Sequence, residues 1–466
     1  MKEKVSFAKS FKLLGYICLI TYITAGASFA ATYTVCDSGC DYTTLGAAIA
    51  TTGAPSGSTI ELRKNITEDL SFDNYNREYI ITSDSTRRTW TNSSARNMNF
   101  INSGGYNLTF RNIDIANTGG SEIILMNQSG TLTFENCTLS NTSGSGVLIY
   151  MQNGGNMYFR QSEIIGNSST PRGLHMASGV NYPGGFYLEN TIVRDVGGVA
   201  IQCDQSTTNP MMYIYNSTFA GNGTAYQSSS AGVIRNSLFI GNTDDVNLTH
   251  INAQLSNFQY SGFGEQSSFG GSTGNVFGLT TSVFVNYSAR DLHLDCTNTD
   301  VVDTGTDMSA HYTVDKDGLT RPQGDGYDMG AYECPAVSAV KSASVSAAYL
   351  GDTVTFCITV TNSKSEDIST YLWDTVPANT AYIDCDNGCD FSGGMVSWLI
   401  ELGPGYWTTR CFWVRITGYP FLIQERPHYA GVNLRREYSF RSLNAAYSAD
   451  SIEYWLAFNR HLRSKN

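Results

Sequence analysis

One hydrophobic pattern recurs six times between residues 107 and 254 of the chain. In each copy the second and fourth positions are apolar, which is the period-two pattern of a β-strand with one buried face. The copies start at Asn107, Thr131, Asn156, Gly185, Met211 and Ala231, so the period is 20 to 29 residues. Self-similarity at such a period predicts a solenoid in which each copy forms one rung.

An amide side chain marks the point in each copy where the alternation slips. This structural ladder consists of Asn112, Asn136, Gln161, Asn190, Asn216 and Asn236. Because Asn tolerates left-handed backbone geometry, the column predicts a bend between two strands. Rungs stack about 4.8 Å apart, so we expect the six amides to hydrogen-bond to one another along the bend.

The repeated line, from NLTFRNIDIANTGG at Asn107 to AGVIRNSLFIGNT at Ala231, resembles the right-handed parallel β-helix of the pectate-lyase-like superfamily. Two further stretches are similar to the ending of bacterial surface β-helix proteins. They are TSVFVNYSARDLHLDCTNTDVVDTGTD and DKDGLTRPQGDGYDMGAYE. The resemblance implies a β-helix that ends near Glu333. Near the start, YTTLGAAIA and GSTIEL resemble the capped beginning of such proteins, which implies a short helix over the first rung.

Residues 335–345 form a small-residue linker, and residues 346–418 resemble the prokaryotic Ig-like repeat of unknown function found in surface proteins. The resemblance is carried by GDTVTFCITVTN and by MVSWLIELGPGYW, and it implies a small β-sandwich spacer that is incomplete here. The predicted fold class is therefore all-β: a right-handed parallel β-helix over residues 31–334, followed by an Ig-like β-sandwich. From residue 256 to 278 no alternation is visible, which predicts a long loop or an insertion.

Residues 419–466 form an Arg-rich tail in which the alternation stops. Three interpretations stay open: a short helix over residues 449–462, a disordered tail, and out-of-frame translation after a frameshift. We expect residues 419–448 to be poorly ordered and the tail not to complete the sandwich.

The N-terminus predicts export. Four lysines precede an apolar stretch over residues 13–24, and Ser28-Phe29-Ala30 is a small-x-small cleavage site. We therefore interpret residues 1–30 as a signal peptide and expect a secreted or surface-displayed protein without a membrane span in the mature chain. An uncleaved anchor is the alternative.

Ten cysteines remain after the predicted cleavage, which is an even number in an oxidising compartment. Cys36 with Cys40, and Cys385 with Cys389, share a Cys-Asp-x-Gly-Cys motif, which we interpret as disulfide-closed turns. A metal site is the weaker alternative, because no further Cys or His lies nearby. We expect two longer disulfides, Cys296 with Cys334 and Cys357 with Cys411. The remaining two cysteines, Cys137 and Cys203, are expected to be buried free thiols.

The net charge of −12 is unevenly distributed. Residues 1–30 contribute +3 and residues 419–466 contribute +3, which leaves −18 for the body (−12 − 3 − 3). An acidic body argues against nucleic acid and anionic polymers as partners.

The strongest candidate for ligand binding is a pair of outward columns. Three tyrosines occupy the third position of consecutive copies, next to a fifth-position column of alternating charge. The ligand-binding candidates are Tyr158, Tyr187, Tyr213, Arg160 and Glu189. Two interpretations compete. The columns either stabilise the sheet or form a platform on which a carbohydrate binds.

Catalytic candidates are weaker. Asp114 and Glu163 lie two rungs apart, or about 10 Å, slightly beyond the separation of roughly 6.5–9.5 Å in inverting glycosidases. We expect Asp195 to lie in a nearby turn, together with Arg172, His175, Arg194 and Asp204. The alternative is that all of these residues are solvated charges in turns without a catalytic role. The motifs of polygalacturonases and pectate lyases are missing from the sequence.

No cofactor is expected apart from a structural Ca²⁺ that four aspartates could hold. They are Asp315, Asp317, Asp325 and Asp328. The alternative is that they cap turns and pair with Arg321. As a whole, the sequence favours a non-catalytic adhesive or cell-envelope role, with an extracellular glycan or an envelope component as partner. A polysaccharide-active lyase or hydrolase is the alternative.

Overall fold

The computed structural model describes residues 31–418, except for short internal gaps, and three two-residue strands beyond them. The gaps are 73–76, 93–95, 101–104, 121, 128, 143–144, 179–183, 249–256, 265–272, 346 and 364–365, and the three strands are 421–422, 441–442 and 456–457. The predicted signal peptide lies outside the described residues.

Most of the described chain is a parallel β-helix with three sheets, so the predicted fold class is confirmed. Sheet A has ten strands: Thr32–Val35, Ser58–Leu62, Glu78–Ser83, Tyr106–Arg111, Gly130–Glu135, Asn156–Arg160, Gly185–Glu189, Met212–Tyr215, Gly232–Arg235 and Asn257–Gln259. Sheet B has nine: Ile66–Thr67, Arg88–Thr91, Ile113–Asn117, Thr138–Asn141, Glu163–Ile165, Ile192–Arg194, Thr218–Ala220, Leu238–Ile240 and Gly262–Phe263. Sheet C has eight: Leu70–Ser71, Met98–Phe100, Ile124–Met126, Ile149–Met151, Arg172–Met176, Val199–Cys203, Thr224–Ser228 and Asp244–Asn247.

The interior of the coil is built from the apolar positions of the repeat. Phe110, Phe134 and Phe159 are fully buried and stack with centroids 5.0 and 5.2 Å apart. The same happens on sheet B, where Phe219 and Phe239 stack at 4.8 Å. Identical side chains meet because parallel pairing without a register shift sets each position above its counterpart.

The bend between sheets A and B is a single residue in the left-handed conformation. The six amides of the predicted ladder have φ between 42 and 54°. Behind the bend, small residues form a buried column in which several serine hydroxyls accept a hydrogen bond from a backbone N–H of the previous rung. Thus Thr191 N donates to Ser217 Oγ at 3.2 Å, and Ser217 N donates to Ser237 Oγ at 3.2 Å.

A seventh rung follows the six copies, where the sequence predicted a long loop or an insertion. Asn257–Gln259 and Gly262–Phe263 extend sheets A and B, and Tyr260 takes the bend position with φ of 50°. Phe258 and Phe263 are buried, so the rung is closed by aromatic packing. Its strands are too short for the alternation to be visible in the sequence.

The first rung is capped by the helix Leu45–Ile49. Leu45, Ala48 and Ile49 are buried against the coil. Thr44 caps the helix by accepting from Ala47 N at 3.1 Å, and the Glu68 carboxylate accepts from Leu45 N at 2.9 Å. An apolar solenoid end is thereby covered, as the resemblance implied.

The named parallel strands end at Phe263, and a parallel bridge between Gly262 and Val276 continues the coil beyond them. The end of the β-helix near Glu333 stays a prediction. Residues 281–334 form a segment that packs against the coil, which we call the closing segment. It contains the 3₁₀ helices Thr281–Val283 and Tyr287–Ala289 and an antiparallel pair, Phe284–Asn286 with Asp291–Leu294. The remainder, residues 295–334, has isolated bridges only.

The C-terminal part has small antiparallel sheets that are compatible with a β-sandwich. One sheet contains Val337–Ala343, Thr353–Asn362, Trp407–Ile416 and Thr380–Cys385, and the other Asp390–Ser392, Met395–Leu402, Ile368–Thr375 and Leu456–Ala457. A third contains Ala347–Ala348, Phe421–Leu422 and Arg441–Ser442. Side chains of the first two sheets share one apolar core. Only three two-residue strands of the tail are described, so the tail hypotheses stay predictions.

The cysteines lie where they can pair as the sequence suggested. Four pairs are in disulfide contact: Cys36–Cys40, Cys296–Cys334, Cys357–Cys411 and Cys385–Cys389. Cys137 and Cys203 are buried and free. None of the helices in the described part of the chain is long and apolar enough to cross a membrane.

Candidate functional site

Three tyrosine rings stack on the outer face of sheet A. Tyr158 pairs with Tyr187 and Tyr187 with Tyr213 on consecutive rungs. Their centroids are 4.5 and 4.7 Å apart, with interplanar angles of 17 and 2°. Tyr187 has a ring on each face, so a ligand in front of the sheet meets ring edges and hydroxyls. Burial, then the neighbouring phenols, raise the pKa of Tyr187 to about 12, which keeps its hydroxyl a donor.

The adjacent charged column is paired along its length. Arg111 contacts Glu135, and Arg160 Nε lies 2.8 Å from Glu189 Oε2 while its Nη1 lies 3.6 Å from Glu135 Oε1. The Arg160 guanidinium also lies 5.3 Å from the Tyr158 ring centroid. Because each carboxylate in this column meets an arginine, the face presents a balanced polar surface beside the tyrosines.

The three catalytic candidates are each engaged by arginine. Asp114 is paired with Arg87, and Glu163 lies 2.6 Å from Arg194 Nε. Arg194 also contacts Asp195 at 2.6 Å. Asp114 and Glu163 are two rungs apart in the register, on either side of Thr138. Paired carboxylates of this kind favour a structural role over acid–base catalysis.

The predicted amide ladder is continuous only near its two ends. Asn136 Nδ2 donates to Asn112 Oδ1 at 2.8 Å, and Asn236 Nδ2 donates to Asn216 Oδ1 at 3.0 Å. In the middle, Gln161 Nε2 donates at 2.8 Å to the carbonyl of a residue of the closing segment, 154 positions further along the chain.

The amides thus hold the closing segment against the coil. Asn190 Nδ2 donates to Val314 O at 2.9 Å, and Asn216 Nδ2 donates to Asp328 O at 2.6 Å. Tyr312 Oη donates to Asn216 Oδ1 at 2.6 Å. The sequence predicted that the amides hydrogen-bond to one another along the column. In the structure, several of them instead hydrogen-bond to the closing segment.

Inside the closing segment, Arg321 and Glu333 form an ion pair with both side chains fully buried, at 2.6 Å. Arg321 therefore pairs with Glu333 and not with the aspartates, which corrects the expectation. Asp315 accepts from Leu319 N at 2.7 Å and from Glu333 N at 2.9 Å. Asp328 accepts from Asp303 N at 2.7 Å.

These contacts favour turn-capping carboxylates over a Ca²⁺ site. Of the four aspartates, Asp315 and Asp328 are buried with backbone donors, whereas Asp317 contacts His293. Among the described residues, no group of three or more His, Cys, Asp or Glu side chains is placed to hold a metal ion. Asp325 therefore belongs to no such group among the described residues.

His293 links the antiparallel pair of the closing segment to its later turn. Its Nδ1 lies 2.6 Å from Asp291 Oδ1, and its Nε2 lies 3.0 Å from Asp317 Oδ2. The ring stacks on Tyr332 at 3.9 Å. Burial alone lowers the pKa of His293, but hydrogen bonds to the two aspartates and their charges outweigh it and raise the pKa to about 9.

We expect this clamp to make stability depend on pH. Because the folded pKa exceeds the ordinary value of 6.5, the contribution is fully present below pH 6.5 and is lost as pH rises through about 9. One-third of the side chain is exposed, so after screening we expect about 1 kcal/mol. Thermal unfolding of the parent and of His293→Gln at pH 6 and pH 9.5 checks this. The gap between the two proteins should shrink at pH 9.5, and an equal gap at both values would contradict the clamp.

A second polar cluster lies on the outer face of sheet C, where the structure brings together residues that the sequence named only as charges in nearby turns. Arg172 and His175 lie within a strand, as Arg194 does in sheet B, so the turn placement predicted for them is wrong. His175 Nε2 lies 2.8 Å from Asp204 Oδ2, and Gln202 Nε2 donates to Asp204 Oδ1 at 2.7 Å. His175 is only 6% exposed.

The contacts assign His175 a defined tautomer. Burial lowers its pKa, and Asp204 only partly offsets this, so the ring is neutral near pH 7. The proton then lies on Nε2 and is donated to Asp204, which leaves Nδ1 as an acceptor. Nδ1 is buried without a hydrogen-bond partner among the described residues. Such a pair can act as a base or an acceptor if a ligand reaches it.

By its fold, the described chain is a parallel β-helix. Residues 53–185 match the family model described as right handed beta helix region. This match begins after the capping helix and covers the early rungs from Ser58–Leu62 onward and the first three copies of the repeat. No curated protein and no solved structure matches the chain.

Proposed function

We propose that the protein is a secreted or surface-displayed β-helix that binds an extracellular glycan without cleaving it. The observation that carries the proposal is the continuous outer face of sheet A. There the tyrosines Tyr158, Tyr187 and Tyr213 lie beside Arg160 and Glu189 on consecutive rungs. Hydroxyls repeated at each rung suit a repeating hydroxylated polymer, because each rung can make the same contact.

The stacked geometry specifies how the glycan would bind. The ring faces of Tyr158, Tyr187 and Tyr213 cover one another, so sugar stacking on an aromatic face is available only at the ends of the stack. Binding along the stack must therefore rely on the phenolic hydroxyls and on Arg160 and Glu189. The acidic body of the chain, at −18, favours a neutral glycan over an anionic one.

We expect replacement of the three tyrosines by phenylalanine to weaken retention on the glycan strongly while preserving the stack. The measurement is retention of the full chain on insoluble chitin, cellulose and peptidoglycan, together with its melting temperature. The phenylalanine variant should lose about tenfold or more in affinity, since three hydroxyl contacts at about 0.5–1.5 kcal/mol each are removed. Its melting temperature should stay close to that of the parent.

Tyr349→Phe and Tyr406→Phe form the matched control, because these tyrosines are 71% and 68% exposed and lie outside the coil. Retention of the parent that persists in the triple variant, or that falls equally in the control, would contradict the proposed site. Retention of the parent on none of the three polymers would contradict the proposed ligand class as tested.

A polysaccharide-active enzyme is the second candidate, and the observation that favours it is the His175–Asp204 pair. A neutral histidine that donates one ring N–H to a carboxylate has the arrangement of the general base in many hydrolytic enzymes. If the parent releases soluble oligosaccharides from the same polymers and His175→Asn does not, the catalytic candidate replaces the non-catalytic one.

A further inference from the structure

Lys341 and Asp374 meet inside the C-terminal sheets. Lys341 lies on the strand Val337–Ala343 and Asp374 on the strand Ile368–Thr375, and these strands belong to different sheets of the shared core. Lys341 Nζ lies 2.7 Å from Asp374 Oδ2, and the side chains are 4% and 0% exposed. It is the most buried lysine–carboxylate pair among the described residues.

The surroundings of the pair are aromatic. Lys341 Nζ lies 4.4 Å from the ring centroid of Phe356 and 5.2 Å from that of Phe412. Burial lowers the pKa of Lys341 and raises the pKa of Asp374, in each case by more than the partner's charge offsets. Burial therefore shifts both groups toward their neutral forms, an amine and a carboxyl group, which are the forms that take part in condensation.

A permanent ion pair is the simpler alternative, but this site suits it poorly. Two charges removed from water carry a desolvation penalty that can exceed their mutual attraction. Here two phenyl rings flank the ammonium group. An amide bond removes both charges, and a neutral amide is much less costly to bury than two ions.

We propose that Lys341 Nζ and Asp374 Cγ are joined by an intramolecular amide bond that forms once these strands have folded together. The neutral amine of Lys341 attacks Cγ of the protonated Asp374 carboxyl group. A C–N bond forms, the C–OH bond breaks, and the hydroxyl leaves as water with a proton from the amine. The second amine hydrogen remains as the amide N–H. No electrons are gained or lost, and no co-reactant is needed.

The bond would tie together two sheets that share one apolar core. It closes a loop of 33 residues (374 − 341). Unlike Cys357–Cys411, which lies in the same region, it would survive reducing conditions. The sandwich would then resist unfolding even where disulfides are lost.

Mass spectrometry of the purified full chain tests the proposal. Lys364 lies between the two residues, so reduction, alkylation and trypsin release Lys341 and Asp374 on separate peptides unless they are bonded. We expect a linked species that is lighter than its two peptides by one water molecule, and no cleavage after Lys341. Recovery of both peptides at unmodified mass, without the linked species, would overturn the proposal.

A matched control lies in the same chain. Lys64 Nζ is 2.8 Å from Asp37 Oδ1, which is nearly the same distance, but the side chains are 25% and 87% exposed. This solvated pair should yield only unmodified peptides. A linked species at Lys64 as well would show that linkage arises during handling, and that would also overturn the proposal.

Two variants test the consequence for stability. Lys341→Arg keeps a cation but cannot form the amide, and the double variant Lys341→Met with Asp374→Leu replaces the pair by apolar side chains. With the bond present in the parent, both should melt about 10–25 °C lower after disulfide reduction. If the double variant melts as high as the parent, the pair is no covalent cross-link.

Discussion

Arg321→Met should cost about 3–5 kcal/mol of unfolding free energy, because it leaves the Glu333 carboxylate buried without its partner. Both side chains are fully buried, and Arg321 Nη2 also donates to Gly330 O at 2.9 Å. The substitution keeps an unbranched apolar chain in place of the arginine stem but removes the guanidinium group and its donors. Chemical denaturation of the full chain measures the loss. Hydrogen exchange should locate this loss in the closing segment, whose amides should lose protection before those of the coil.

A double variant and an exposed pair make this prediction specific. Arg321→Met with Glu333→Leu removes both charges, so it should recover much of the stability lost in the single variant. Arg63→Met is the control, since the Arg63–Glu61 contact is half exposed on the arginine side and should be worth less than about 1 kcal/mol. A similar loss at Arg63 and Arg321 would mean that burial of the pair has no special role.

The coil could be predicted from the sequence because its physics is local and repeated. A period-two pattern decides which side of a strand is buried, as at Leu108 and Leu132, and parallel stacking then copies that choice from rung to rung. The bend was equally readable, since a recurrent amide such as Asn190 marks a position with φ near 50°. The seventh rung was missed because Tyr260 replaces the amide at its bend.

Contacts between distant parts of the chain left no such pattern. The docking of Asn190 on Val314 joins residues 124 positions apart, and nothing in the repeat distinguishes an amide that pairs with its neighbour from one that binds another segment. His175 alternates with buried Leu174 and Met176 as an outward residue should, so its burial depends on what lies over it. Lys341 was not recognised because a charged residue in an alternating strand normally indicates the solvent side.

The tyrosine stack was visible as a column, but its chemistry was not. Three aromatic residues at the same position of consecutive rungs suggested a flat platform for sugar stacking. Parallel stacking turns the ring faces toward one another, with 4.7 Å between Tyr187 and Tyr213. The proposed binding surface is therefore made of hydroxyl edges, and this distinction decides which substitution tests it.

Phe134→Ala should destabilise the coil by about 3–5 kcal/mol, because it opens a cavity in the middle of a stack. Phe134 is fully buried, with Phe110 at 5.0 Å on one side and Phe159 at 5.2 Å on the other. Rungs above and below are fixed by backbone pairing, so they cannot collapse into the space. Chemical denaturation should show the loss, and hydrogen exchange should show it spreading to the two adjacent rungs first.

Tyr187→Ala is the matched control, because Tyr187 also has a ring on each side but lies on the outer face of the same sheet. Water can fill the space it leaves, so only ring contacts of about 0.5–1.5 kcal/mol are lost. The inner substitution should therefore cost at least twice as much as the outer one. Equal costs would mean that stacking along the coil, and not exclusion of water from its interior, is what holds the rungs together.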